Sequence, residues 1–146
     1  MKREGFSLLE LMTVVILVGI LAAFGVPQFR KSMEQSRLDM AAANLESVWT
    51  AQRLYKAKEG QFAASLGALG DFLDESFLAK ISDSENPFAY STGSENPSSD
   101  FWAQAVRQNS GSWSGTLSIS ATGILTGQID YRSGGTWRFA LYPPKF

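Results

Sequence analysis

Residues 6–26 read FSLLELMTVVILVGILAAFGV, from Phe6 to Val26, and contain one ionisable side chain, Glu10. At 1.5 Å of rise per residue, a helix of this length covers about 30 Å, the thickness of a bilayer core. Thirteen of the 21 positions are Leu, Ile, Val or Phe. At roughly −0.3 to −0.6 kcal/mol each they contribute about −4 to −8 kcal/mol to insertion. A carboxylate costs about 2.5–3.5 kcal/mol at the bilayer centre and less near an end, where Glu10 sits. Insertion wins.

Three kinds of segment fit this profile. One is a plain signal anchor. Another is a cleaved secretory signal, with Leu21-Ala22-Ala23 offering small residues near a cut. Against it, the apolar region of such a signal runs to about 7–15 residues and would not carry a glutamate. The third begins from the oddity itself, a charge four residues after the Phe of a Gly–Phe junction. A carboxylate in hydrocarbon is expensive and marks a function with a definable partner. Cutting the chain after Gly5 would place a new amine on Phe6, one helical turn from Glu10. The two charges could then meet within one subunit or between neighbours.

The run Gly5-Phe6-Ser7-Leu8-Leu9-Glu10-Leu11-Met12, continued by Thr13 to Ala23 and Pro27, resembles the processing and methylation motif of type IV pilins and type II secretion pseudopilins. That resemblance implies cleavage between Gly5 and Phe6 by a membrane aspartyl prepilin peptidase, then N-methylation of Phe6. It also implies that Glu10 pairs with the amino terminus of a neighbour during assembly. The partners it implies are copies of the chain in a homo-oligomeric filament, the peptidase/methylase, an inner-membrane assembly platform and membrane lipid. The expected location is the bacterial inner membrane as a single-pass precursor, with the carboxy-terminal domain outside the cytoplasm. The filament would stand in the periplasm or at the cell surface. The rival class is a single-pass membrane-anchored binding module that never polymerises.

The expected organisation is a leader over 1–5, a membrane segment over 6–26, an amphipathic continuation of the helix over 27–60 and a globular domain over 61–146. Gly19, Gly25 and Pro27 make 19–27 the weak stretch of the helix, because proline removes a hydrogen bond and crowds the preceding turn. Either a mild kink or a segment that unwinds as subunits pack would follow. Gln28 to Lys58 has no glycine or proline. At 100° per residue, Phe29, Met33, Met40, Ala51 and Tyr55 share one face. Leu38, Ala42, Leu45 and Trp49 form a second stripe nearly opposite. Two stripes mean one face for the domain and one for another subunit, or a thick domain that wraps both. Gly60 supplies the stop, and Tyr55, Gly60 and Phe62 resemble the aromatic–glycine–aromatic end of many pilin helices.

Leu66, Leu69, Phe72, Leu73, Phe77, Leu78 and Ile81 predict one or two short helical turns on a core. Asp71, Asp74, Glu75, Asp83 and Glu85 lack the alternating oxygen spacing of a calcium loop and read as a solvated face. Ser84-Glu85-Asn86-Pro87 and Ser94-Glu95-Asn96-Pro97 predict turns around a short strand, Phe88 to Ser91. Further strands are expected at Phe101–Arg107, Trp113–Ala121, Ile124–Tyr131 and Thr136–Tyr142. Leu117, Ile119 and Ala121 alternate with Ser114, Thr116, Ser118 and Ser120, and Trp137, Phe139 and Leu141 alternate with Arg138. Thr122-Gly123 and Ser133-Gly134-Gly135 supply turns, and Pro143-Pro144 ends the last strand. An antiparallel meander of about four strands with one apolar face needs a cover. The long helix is the only element large enough. The expected class is α+β, a long amino-terminal helix on a carboxy-terminal sheet, and the resemblance implies the same pilin fold.

The 146 residues include no histidine and no cysteine, which removes the commonest general base, the usual transition-metal ligands and every thiol nucleophile. Thirteen basic and 14 acidic residues nearly cancel, so no strong field points to nucleic acid. A structural subunit, with no cofactor, metal or catalytic residue, is the expectation. The chain lacks the paired cysteines of many major pilins and the carboxy-terminal calcium motif of the major secretion pseudopilin. Asn86-Pro87-Phe88 and Tyr90 nevertheless resemble the latter's preceding strand, and Glu10 argues against a tip subunit. The balance leans to a pseudopilin or small secretion-like pilin.

Overall fold

The computed structural model describes residues 7–133 and 136–144, with backbone only at 136–139. The leader, Gly5 and Phe6, and the Gly134-Gly135 turn lie outside the described residues, as do the side chains of Trp137, Arg138 and Phe139. The chain divides into two compact units, 1–36 and 37–146. One helix, α1 (Leu8–Glu59), runs through both and keeps its helical backbone at Gly19, Gly25 and Pro27. It ends where expected: Gly60 takes φ +78° and its N–H reaches the Lys56 carbonyl at 2.9 Å. A side chain at that φ would be strained, which is why glycine stands there.

In the second unit a short 3₁₀ turn (Leu66–Leu69) and α2 (Glu75–Ser82) follow. Asp74 caps α2 by accepting from the Ser76 N–H at 2.8 Å. The Ser76 hydroxyl, and then the Ser76 and Phe77 N–H groups, hold its exposed carboxyl below the usual range. Asp83 likewise accepts from the Glu85 N–H at 2.9 Å. These carboxylates serve local turns.

The sheet has five strands in the order β1-β2-β3-β4-β5, all antiparallel: β1 (Phe88–Gly93), β2 (Trp102–Arg107), β3 (Trp113–Ser120), β4 (Leu125–Ser133) and β5 (Thr136–Leu141). The fifth member beyond the expected meander is β1, which pairs with β2 from Phe88↔Arg107 to Gly93↔Trp102. Alternation sets the faces. Phe101, Ala103, Ala105, Leu117, Ile119, Ile129 and Leu141 are buried, while Ser114 and Thr116 are exposed. From α1, Leu38, Ala41, Leu45, Val48 and Ala51 join the same core. The Leu38–Trp49 stripe therefore faces the domain. Phe29, Met33 and Met40 of the other stripe are exposed, whereas Ala51 is buried and Tyr55 half-buried, edge-on to Phe72 at 5.9 Å. The domain wraps both faces only near the end of the helix.

Polar contacts fix this packing. Gln52 is fully buried; its amide donates to the Ala63 carbonyl at 2.9 Å and the Thr92 hydroxyl at 3.1 Å, and its carbonyl accepts from the Ala63 N–H at 2.9 Å. Thr92 passes the chain on to the Trp102 carbonyl at 2.8 Å. One side chain thus ties α1 to the helix exit and to β1. Asn44 donates to the Tyr90 hydroxyl at 2.9 Å, and the Trp49 indole N–H to the Ala121 carbonyl at 3.3 Å. Burial pushes the Tyr90 hydroxyl's pKa up, against the opposing bond from Asn44.

Between β3 and β4 the backbones approach so closely that two glycines are required. A Cβ at Gly127 (φ +113°) would lie 2.1 Å from the Thr116 carbonyl oxygen, and one at Gly115 (φ +144°) 2.2 Å from that of Gln128. Two substitutions on a 28–146 chain, expected to be a soluble monomer, test these constraints by urea unfolding. Gly127→Ala combines backbone strain with a clash and should cost about 3 kcal/mol. Gln52→Leu strands both polar groups of Ala63 and should cost a similar ~3 kcal/mol. A loss under 0.5 kcal/mol from either would contradict its assigned role.

Candidate membrane and assembly segment

The first turn of α1 opens with the Leu11 N–H bonded to the Ser7 carbonyl at 3.2 Å, and Glu10 lies in that turn. Unsatisfied N–H groups there carry the positive end of the helix dipole, the favourable end for an anion. One turn further, the Thr13 hydroxyl donates to the Leu9 carbonyl at 2.9 Å, so its polarity is satisfied inside the helix. Such back-bonding suits hydrocarbon, where water offers no alternative partner.

Every residue from Ser7 to Met33 is exposed. The exposure reaches 78 % at Leu8 and 79 % at Phe24, and an 18-residue window of the helix has a mean hydropathy of 2.5 with none of it buried. A bare apolar surface of this size belongs in lipid or against other helices. Among the described residues the Glu10 carboxylate has no hydrogen-bond or ion-pair partner. Sequence and structure place Glu10 alike, at the start of an apolar helix; the geometry between it and Gly5 or Phe6 falls outside the described residues.

Among the described residues no group of three or more metal-ligating side chains is assembled. Sequence reasoning missed two buried charged residues, Glu34 and Arg107. The Arg107 guanidinium donates to the Pro87 carbonyl at 2.8 Å and to that of Gln108, and lies 5.6 Å from the centre of the Phe88 ring. It anchors the turn before β1, a structural duty that alternating polarity conceals.

Residues 1–26 match the family model described as the prokaryotic N-terminal methylation motif. The chain is 35 % identical over 69 residues to the type IV major pilin protein PilA of Myxococcus xanthus, covering 47 % of this chain and 31 % of that one. It is 36 % identical over 55 residues to type II secretion system core protein G of Pseudomonas aeruginosa, covering 38 % and 39 %. Core protein G of Escherichia coli is 25 % identical over 89 residues, 61 % of each chain. The chain thus spans about a third of the length of the first two relatives. No solved structure matches significantly. The chain is thus similar in its first 26 residues to the methylation motif, and over part of its length to a type IV pilin and a type II secretion core protein. The relatives are pilins and secretion proteins.

The exposed helix predicts how the chain partitions. The full chain should stay in the membrane pellet through alkaline carbonate extraction, and a chain starting at Gln28 should be released. Release of the full chain would show that the apolar helix is covered by protein instead of lipid.

Proposed function

We propose that the protein is a filament subunit, a pilin or secretion pseudopilin, which is inserted in the bacterial inner membrane, cut between Gly5 and Phe6 by a prepilin peptidase and methylated on Phe6. The observation that carries this reading is Glu10, a carboxylate on the first turn of a helix that is exposed throughout from Ser7 to Met33. Placed in hydrocarbon, that charge demands a partner. Cleavage after Gly5 makes one, the Phe6 amine. Pairing Glu10 with the amine of a neighbouring copy recovers much of the few kcal/mol that an unpaired charge costs in the bilayer. Docking is then favoured at the one axial register where the charges meet. Subunits would be delivered through an inner-membrane assembly platform, with the 37–146 unit outside the cytoplasm and the filament in the periplasm or at the cell surface.

The processing step is testable by itself. Intact mass spectrometry of membrane-extracted protein should show a chain starting at methylated Phe6. A start at Met1, or a cut near Ala23, contradicts the assignment. Gly5→Val should leave the leader attached.

Assembly has a separate test. Glu10→Gln and Glu10→Leu should both insert, since each makes the helix more apolar. Sheared-filament yield against total membrane-bound subunit, by immunoblot, should fall about tenfold or more, the consequence of losing ~1.4 kcal/mol or more per docking step. Wild-type yield from Glu10→Leu would sink the pairing.

A further inference from the structure

Away from the membrane segment, the 37–146 unit has a cavity of about 740 Å³ whose lining includes Glu46 of α1, Ile124 and Leu125 at the start of β4, and Tyr142, Pro143 and Pro144 after β5. Ile124 and Tyr142 are 63 % and 62 % exposed, though both are large and apolar. Ile124 lies just before β4 and Tyr142 just after β5. Among the described residues Glu46 forms no ion pair. The site therefore offers apolar walls and one carboxylate, a chemistry that fits a cation carried beside an apolar side chain.

Several cations of the described residues are already engaged. Arg53 lies over the Trp49 ring at 4.7 Å, Lys56 over Phe62 at 4.3 Å, and Lys58 over Phe72 and near Asp71 at 3.8 Å. Arg107 is buried. Arg30 differs. It is exposed, forms no ion pair among the described residues, and follows Phe29, which is 66 % exposed. Aromatic ring and guanidinium are adjacent in sequence, so one short segment can fill the apolar part of the cavity and meet the carboxylate.

We infer that the Glu46 cavity receives the Phe29-Arg30 step of a second copy of this chain. The donor surface lies on unit 1–36 and the acceptor on unit 37–146, so each copy carries one of each. Such a heterologous contact leaves a free donor and a free acceptor after every addition, which is the requirement for an open filament. The inference rests on the filament reading and adds a second charge contact to it, outside the membrane. A partly desolvated pair at an interface also fixes register, because a mismatched charge there is penalised.

Charge exchange in the full chain is the test. Glu46→Arg and Arg30→Glu should each lower sheared-filament yield about tenfold, and the double variant should restore most of it. Circular dichroism of each detergent-extracted variant checks that the helix and sheet are retained. Because the chain has no cysteine, the Arg30→Cys, Thr122→Cys double variant gives a second readout without background. Oxidised filaments should show an intermolecular disulfide ladder, absent from either single variant. Filaments at wild-type yield from both charge variants, or filaments of the cysteine pair without a ladder, overturn this contact while leaving the filament reading standing. Absence of filaments from the processed wild-type chain would overturn both.

Discussion

The 37–146 unit depends on one face of α1 closing one face of a sheet. A meander of five antiparallel strands turns Phe101, Ala103, Ala105, Leu117, Ile119 and Ile129 to the same side, and those side chains leave water in a core shared with the helix, Leu69 of the 3₁₀ turn and Ile81 of α2. Small residues on both partners, Ala41 and Ala42 on the helix and Ala103 and Ala105 on β2, are fully buried. Gln52 then locks the arrangement at the far end, and its fully paired amide shows why a polar residue can occupy a core position.

In the proposed reading the same helix meets a different solvent in its first half. There every side chain from Ser7 to Met33 is exposed, and Glu10 is the one ionisable residue between Ser7 and Gln28. A helix is the right element for that medium, because it satisfies its own backbone. Its weakness is the carboxylate. In the proposed mechanism that weakness becomes specificity, since the one costly charge is relieved at the one register where a neighbour's amine arrives. The Glu46 cavity would repeat this logic at the surface, where solvent screening makes the pair weaker and the apolar Phe29 contact more important.

Much of this was legible from residues alone. Period-two alternation located the strands, the glycine-free run from Gln28 to Lys58 located the half of the helix that carries the buried stripe, and Gly60 marked its end. The choice between the two helix stripes was not legible, because both carry large apolar residues. The buried arc also includes Glu34 and Gln52, which any polarity count assigns to solvent. β1 was visible as a short strand, yet its membership of the sheet depends on pairing with β2 across the second Ser-Glu-Asn-Pro turn, a non-local fact. Gly115 and Gly127 did leave a signal, glycine inside a strand, which marks close backbone approach. For the candidate site, the spacing of Gly5, Phe6 and Glu10 carried the chemistry, and the structure adds the exposed helix on which Glu10 stands.

The central claim is that the Glu10 carboxylate of one copy meets the Phe6 amine of another. Solid-state NMR on mixed filaments addresses it directly, with half the subunits carrying ¹⁵N-phenylalanine and half ¹³C-carboxyl glutamate. Only contacts between copies can then couple the two labels. The account predicts dephasing of the Glu10 carboxyl signal by the Phe6 amine nitrogen, at a separation within about 4 Å. Ordered filaments of the mixture that show no such dephasing would contradict it.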